Sequence, residues 1–272
     1  MSFAWGTRTF VMGIINVTPD SFSGDGVLGD PSVTVALGRA MAGAGADILD
    51  VGGMSSRPGH REISVDEELA RVMGVMPALR AAVQAPISID TYRYEVAAAA
   101  LASGATVIND IWGLQREPRL AELAAQTGSG LVLMHNQDGT SYSDLLPEIL
   151  DSLARSVAVA TSAGVAREAL VVDPGIGFGK TAAQNLEVLR RLGELKGLGL
   201  PILLGTSRKS TIGKVLGLPV EDRIEGTAAT VALGIAAGAD MVRVHDVAPM
   251  VRVARMTDAV VRGTWTEPEE AA

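Results

Sequence analysis

The feature that most limits what this chain can fold into is an eightfold alternation. Short aliphatic and β-branched runs recur along it: TFVMGIIN, ADILDVG, PISIDT, TVIND, GLVLMH, ALVVDPG, PILLGTS and DMVRVHD. Each is followed by a polar turn and then by a longer alanine-rich amphipathic stretch. Runs that are apolar throughout suit parallel strands covered on both faces, and the stretches between them are long enough for helical crossovers. Eight strand-helix units predict the α/β class and, within it, a (β/α)8 TIM barrel.

The punctuation agrees with that phasing. Ser64 with Glu67 three residues on spells a capping box, and Asp144 opens another helix in DLLPEIL. Glycines in AGAGAD, ASGAT, TGSG, SAGV and AAGAD fall between a helix and the next strand, where a left-handed residue closes the helix. The charged stretch PVEDRIEG, after the seventh strand, reads as a solvated helix start. No linker or shift in composition divides the 272 residues, 47% of which are hydrophobic. The expected organisation is an N-terminal extension over 1–7, one barrel domain over 8–263 and an acidic tail over 264–272.

Charge and cysteine content narrow the function classes. A net charge of −8 argues against a nucleic-acid or anionic-membrane surface and favours small-molecule partners. With no cysteine, disulfides, thiolate metal sites and thiol nucleophiles are excluded. MSFAWGTRTF has neither a basic leader nor an apolar core, and no apolar run is long enough for a membrane span, so a soluble cytoplasmic protein is expected.

Polar residues crowd at the C-terminal ends of the apolar runs: Asn16, Asp50, Asp90, Asn109 with Asp110, His135, Asp173, Ser207, and Arg243 with His245. Barrel active sites occupy that rim, and burying such groups without partners would be costly, so one shared pocket is expected. Asp50 and Asp110 read as caps or loop anchors rather than reacting groups. His135 reads equally as a packed rim histidine or a functional one, and His60 as an exposed residue. Asp90 before Thr91, and Asp173 in VVDPGIGFGK, read as pocket carboxylates. GTSRKS, RVHD and SSRPG bring Lys209, Arg243, His245 and Arg57 towards the same rim, which suits a phosphate or carboxylate. GFGK lacks the spacing of a nucleotide-binding phosphate loop.

Taken in order, NVTPDSF, GGMSSRPG, SIDT, IND, DPGIGFGK, SRK and RVHD resemble the motifs of the dihydropteroate synthases, over nearly the whole chain. The resemblance implies a transferase of folate biosynthesis: 4-aminobenzoate displaces diphosphate from 6-hydroxymethyl-7,8-dihydropterin diphosphate to give 7,8-dihydropteroate, by SN1-like departure of diphosphate. It implies catalytic roles for Asp90, Asp173, Lys209, Arg243 and His245. A pterin pocket of Asp90, Asn109, Met134, Asp173 and Lys209 follows, with Asn16, Ser56, Arg57, Arg243 and His245 for diphosphate. Phe22, Pro58, Phe178, Ser207 and Lys209 would bound the aminobenzoate slot, and magnesium (Mg2+) would sit on Asn16 and diphosphate oxygens. Mobile loops after strands one and two, a homodimer joined through outer helices, and competitive inhibition by sulfonamides are further expectations of the resemblance.

Two spellings depart from the family. SFSGDG stands for the usual SFSDGG and moves an acidic residue to Asp25, and Met54 and Ser56 stand where glutamate and threonine are usual. The rival readings are a pterin-binding methyltransferase barrel, which NVTPDSF, SRPG and SRK oppose, and a non-catalytic synthase paralogue, which the intact set of cations opposes.

Overall fold

Eight strands run parallel in the computed structural model, which describes residues 3–18, 31–54 and 62–267. They are β1 (Phe10–Asn16), β2 (Ile48–Gly52), β3 (Ile87–Asp90), β4 (Val107–Asp110), β5 (Gly130–Met134), β6 (Leu170–Asp173), β7 (Leu203–Leu204) and β8 (Met241–Val244). The sheet order is β6-β5-β4-β3-β2-β1-β8-β7, and a parallel bridge between Val172 and Ile202 joins its two ends, closing the TIM barrel. Helices α1 (Pro31–Gly43), α2 (Val65–Ala82), α3 (Tyr94–Ala102), α4 (Arg119–Thr127), α5 (Leu145–Ser162) and α6 (Ala182–Arg190) each follow one strand. Two helices, α7 (Ser210–Leu216) and α8 (Ile224–Ala236), follow β7, and α9 (Val247–Arg262) follows β8.

The pleat sorts each strand into two apolar populations. Ile15, Leu49, Val51, Ile89, Ile108, Leu131, Leu133, Val172 and Val242 face the helices and join the large outer core. Phe10, Met12, Ile48, Val107, Val132, Val171, Leu203 and Met241 form a second cluster, the lower filling of the barrel, and Phe3 and Trp5 pack against it. The Phe3 ring packs tilted and the Trp5 ring edge-on against Phe10, with centroids 4.6 and 5.3 Å away, so residues of the N-terminal extension cover the barrel floor. Two residues above Ile48, Val107, Val132, Val171 and Met241 the same inward face carries Asp50, Asn109, Met134, Asp173 and Arg243.

The glycine stops adopt the expected backbone: Gly45, Gly104, Gly128, Gly164 and Gly238 have φ between 66° and 103°. Ser64 Oγ accepts from Glu67 N at 3.1 Å, but the Glu67 carboxylate turns to Arg71 instead, so only half the box forms. Asp144 flanks α5 without a side-chain cap, and Glu148 Oε1 takes its place by accepting from the Ser143 and Asp144 amides. A complete capping box opens α6, between Thr181 and Gln184. PVEDRIEG is a helix start as expected: a short 3-10 turn over Val220–Asp222 carries Glu221 and Asp222, and Arg223 and Glu225 then open α8. Among the described residues, no helix is long and apolar enough to cross a membrane.

Candidate functional site

Arg243 is the hub of the barrel mouth. Its Nε donates to Asp50 Oδ2 and its Nη2 to Asp90 Oδ2, each at 2.6 Å. Asn109 Nδ2 donates to the same Asp50 oxygen at 3.0 Å, so side chains from β2, β3, β4 and β8 meet in one ion-pair network. Burial raises the Asp90 carboxyl to about 7, with Arg243 pulling against it and the neighbouring Asp50 and Glu68 adding to it. Burial acts to lower Arg243, but Asp50 and Asp90 outweigh it, and the guanidinium stays charged. The site therefore holds carboxyls ready to ionise further when positive charge develops beside them.

Asp173 ends β6, and its Oδ1 accepts from Gly175 N at 2.7 Å. Burial raises this carboxyl too, while the Gly175 amide, Lys209 and Arg243 pull it down. The turn that follows carries Phe178 into an apolar patch with Ile111 and Met134, edged by Tyr92 and Trp112. Lys209 Nζ lies 4.0 Å from the centroid of the Phe178 ring, a cation-π contact. An apolar patch, two carboxyls, an amide and an ammonium thus gather at the same barrel mouth, a combination suited to a polar heteroaromatic ring.

The structure gives two residues of GTSRKS partners that the sequence did not suggest. Ser207 is buried, its Oγ 3.0 Å from His245 Nδ1 and accepting from His245 N at 3.1 Å, so it orients that imidazole. Arg208, within the basic triplet, has φ 55° and grips Asp246 through Nε and Nη2 at 2.9 and 2.7 Å, so its charge is met by a carboxylate just beyond the end of β8. Met54 is buried, with 7% exposure.

Asp50 corrects the sequence reading, since it lies in the hub and not on a helix cap. Strand parity was the available signal, because Asp50 shares a face with Ile48. Asp110, of the opposite parity, anchors its own loop as expected, accepting from the amides of Trp112 at 2.8 Å and Leu114 at 2.6 Å. His135 Nδ1 is bonded to the buried Lys180 at 2.9 Å, a pairing that GFGK gave no reason to expect. Burial and Lys180 together push the imidazole down to about 3, so it is neutral.

Asn16 stands on the rim, in register with Gly52. Among the described residues no three His, Asp or Glu side chains cluster as a metal cage. Phe22, Asp25, Ser56, Arg57 and Pro58 lie outside the described residues. On the described edges of that second segment, Arg71 donates to Gly53 O at 3.2 Å and Arg93 to Ile63 O at 2.6 Å. Buried Glu68 accepts from Thr91 Oγ1 at 2.7 Å and pairs with Arg93 at 3.0 Å.

Comparison with known proteins agrees with this geometry. A family model described as "Pterin binding enzyme" matches residues 12–245. The dihydropteroate synthase of Clostridium beijerinckii is 50% identical over 96% of this chain and 97% of its own length. A crystal structure of the Clostridium difficile dihydropteroate synthase in the presence of pteroic acid superposes with a TM-score of 0.92 at 51% identity, covering 96% of this chain and 99% of that one. The Yersinia pestis synthase with a sulfonamide drug complex gives a TM-score of 0.90 at 37% identity, covering 97% and 100%. With the barrel, the carboxylate-arginine hub and near full-length relatives in agreement, the chain belongs to the dihydropteroate synthase family of pterin-binding enzymes.

Proposed function

We propose that this barrel condenses 6-hydroxymethyl-7,8-dihydropterin diphosphate with 4-aminobenzoate to give 7,8-dihydropteroate and diphosphate. The observation that carries the reading is the convergence of Asp90, Asn109, Asp173 and Arg243 on one inward layer. Asp173 and Asn109 present acceptors and a donor to the pyrimidine edge of the pterin, while Met134 and Ile111 cover its face. As the methylene carbon-oxygen bond breaks, the bonding electrons leave with diphosphate and the ring gains positive character. Buried carboxylates at Asp90 and Asp173 stabilise that charge more strongly than water would. The aminobenzoate nitrogen then bonds to the methylene carbon and gives up a proton to diphosphate or solvent.

Arg243 and His245 receive the leaving group, and Ser56 and Arg57 are assigned to it by family resemblance. Phe178 and Lys209 border the second substrate, and Phe22 and Pro58 are assigned to the same slot by family resemblance alone. The donor set fits a magnesium ion that arrives with diphosphate, because Asn16 offers one amide oxygen and Asp50 and Asp90 are already committed to Arg243. Bound there, the ion would neutralise charge on the departing diphosphate. Sulfonamides, which mimic aminobenzoate, would compete for the same slot, consistent with the drug complex of the Yersinia synthase.

A homodimer through the outer faces of α8 and α9 completes the reading. Leu233, Met256 and Val260 stand 69%, 65% and 72% exposed there, beside a groove lined by Ile224, Ala228, Met250 and Val253. Action in the cytoplasm is the compartment we assign. The deciding experiment supplies the purified protein with both substrates and magnesium and measures dihydropteroate and diphosphate. Failure to form either product overturns the reading, and binding of a methylated tetrahydrofolate without diphosphate release would favour a methyltransferase.

A further inference from the structure

We infer that Lys180 is a positioning residue for this reaction: it is the peg around which the turn after β6 is wound, and through that turn it sets Phe178. The inference rests on the reading that Phe178 borders the aminobenzoate slot. Lys180 is 8% exposed, and its Nζ meets three acceptors: His135 Nδ1 at 2.9 Å, Gly175 O at 3.1 Å and Phe178 O at 3.1 Å. An ammonium has three donors and no acceptor, so donors and acceptors match one for one. An apolar side chain of the same length would leave the Phe178 carbonyl and an imidazole nitrogen buried without a donor, while the Gly175 carbonyl would keep only its bond from Phe178 N at 3.1 Å.

The same turn is tied at further points, Phe178 N donating to Gly175 O at 3.1 Å and Tyr142 OH to Gly179 O at 2.8 Å. Gly175 N donates to Asp173 Oδ1 at 2.7 Å and Gly177 N to Asn185 Oδ1 at 2.8 Å. Its backbone lies against the chain after β5: with φ at 71°, a Cβ on Gly175 would run into the His135 carbonyl oxygen, and one on Gly179 would lie 2.7 Å from Gln137 O. Lys180 thus ties the two ends of GIGF to the residue that follows β5. Phe178, at the far end, then packs on Met134 and Ile111 beneath Lys209. Asp173 depends less on the peg, because its own carbonyl already accepts from His135 N at 2.9 Å. Burial pushes Lys180 down to about 7 against the pull of Asp173, while Lys209 adds to the lowering.

The test compares Lys180→Met with the wild type in two readouts: amide hydrogen exchange over residues 174–180, and KM for each substrate separately. The expected result is faster exchange confined to that turn and an aminobenzoate KM raised about tenfold or more, with the pterin diphosphate KM changed much less. His135→Asn, whose amide oxygen can replace Nδ1 as acceptor, should stay near wild type, whereas His135→Leu should shift the aminobenzoate KM in the same direction as Lys180→Met. The His135 pair reads the inference if Lys180→Met does not fold. Unchanged exchange and unchanged aminobenzoate KM overturn it, and so does equal loss for both substrates with faster exchange throughout the barrel. A wild type that makes no dihydropteroate would instead sink the functional reading, while the exchange readout would still test the peg.

Discussion

Arg243 shows how much a single buried residue couples. Replacing it with methionine strands Asp50 and Asp90 without their cation, and breaking a buried pair in this way costs about 3–5 kcal/mol. Adding Asp50→Asn removes one of the stranded charges, so the double variant should be more stable than the sum of the singles predicts, as read from denaturant midpoints in a double-mutant cycle. Additive losses would mean that the two residues do not share one network. Asp90 supplies a pH test. With its carboxyl raised from 3.8 to about 7, kcat/KM for the pterin substrate should climb with pH through an acid limb near that value. A profile flat from pH 5.5 to 8 would contradict this assignment. Stability moves the other way: a raised folded pKa contributes stability that is full below the unfolded value and lost as pH rises through about 7.

Among the elements, turns decide where the chemistry sits. Gly175 and Gly128 both have positive φ, but a Cβ on Gly128 meets open space, whereas one on Gly175 meets the His135 carbonyl. Gly128→Ala should therefore lose only the conformational cost of about 1–2 kcal/mol. Gly175→Ala should lose clearly more in the same thermal melt, along with aminobenzoate affinity, and equal shifts in Tm would count against the close approach. The glycine stops were legible in the sequence because a helix end needs a left-handed residue whatever its surroundings. The Lys180 peg was not, because its three acceptors come from two turns that only the pairing of β5 with β6 brings together. Asp50 lies between these cases: its parity with Ile48 was written in the strand, but its partner lies 193 residues away on β8.

At the scale of the molecule, the exposed apolar stripe on α8 and α9 predicts self-association. Sedimentation should give about twice the chain mass of 28.2 kDa, and Met256→Glu with Val260→Glu should return a monomer that still melts cooperatively. A wild type that sediments as a monomer at micromolar concentration removes the proposal. Magnesium belongs to this scale as well, since it is proposed to enter with the substrate. A chelator should stop turnover yet leave Tm unchanged, because a metal not held by the folded protein alone adds nothing to its stability. A fall in Tm on chelation would point to a resident ion.

The sequence by itself determined the barrel, since eight apolar runs separated by helix-length crossovers admit few other closed arrangements. It also determined which ends of the strands carry the chemistry, because polar residues closing apolar runs must share one wet mouth. Only the tertiary structure decided who pairs with whom: Asp50 with Arg243, Ser207 with His245, Arg208 with Asp246, Lys180 with His135. Local pattern fixes the face on which a side chain lies. Its partner, and hence its charge state and role, depends on distances of a few ångströms between strands that are remote in sequence.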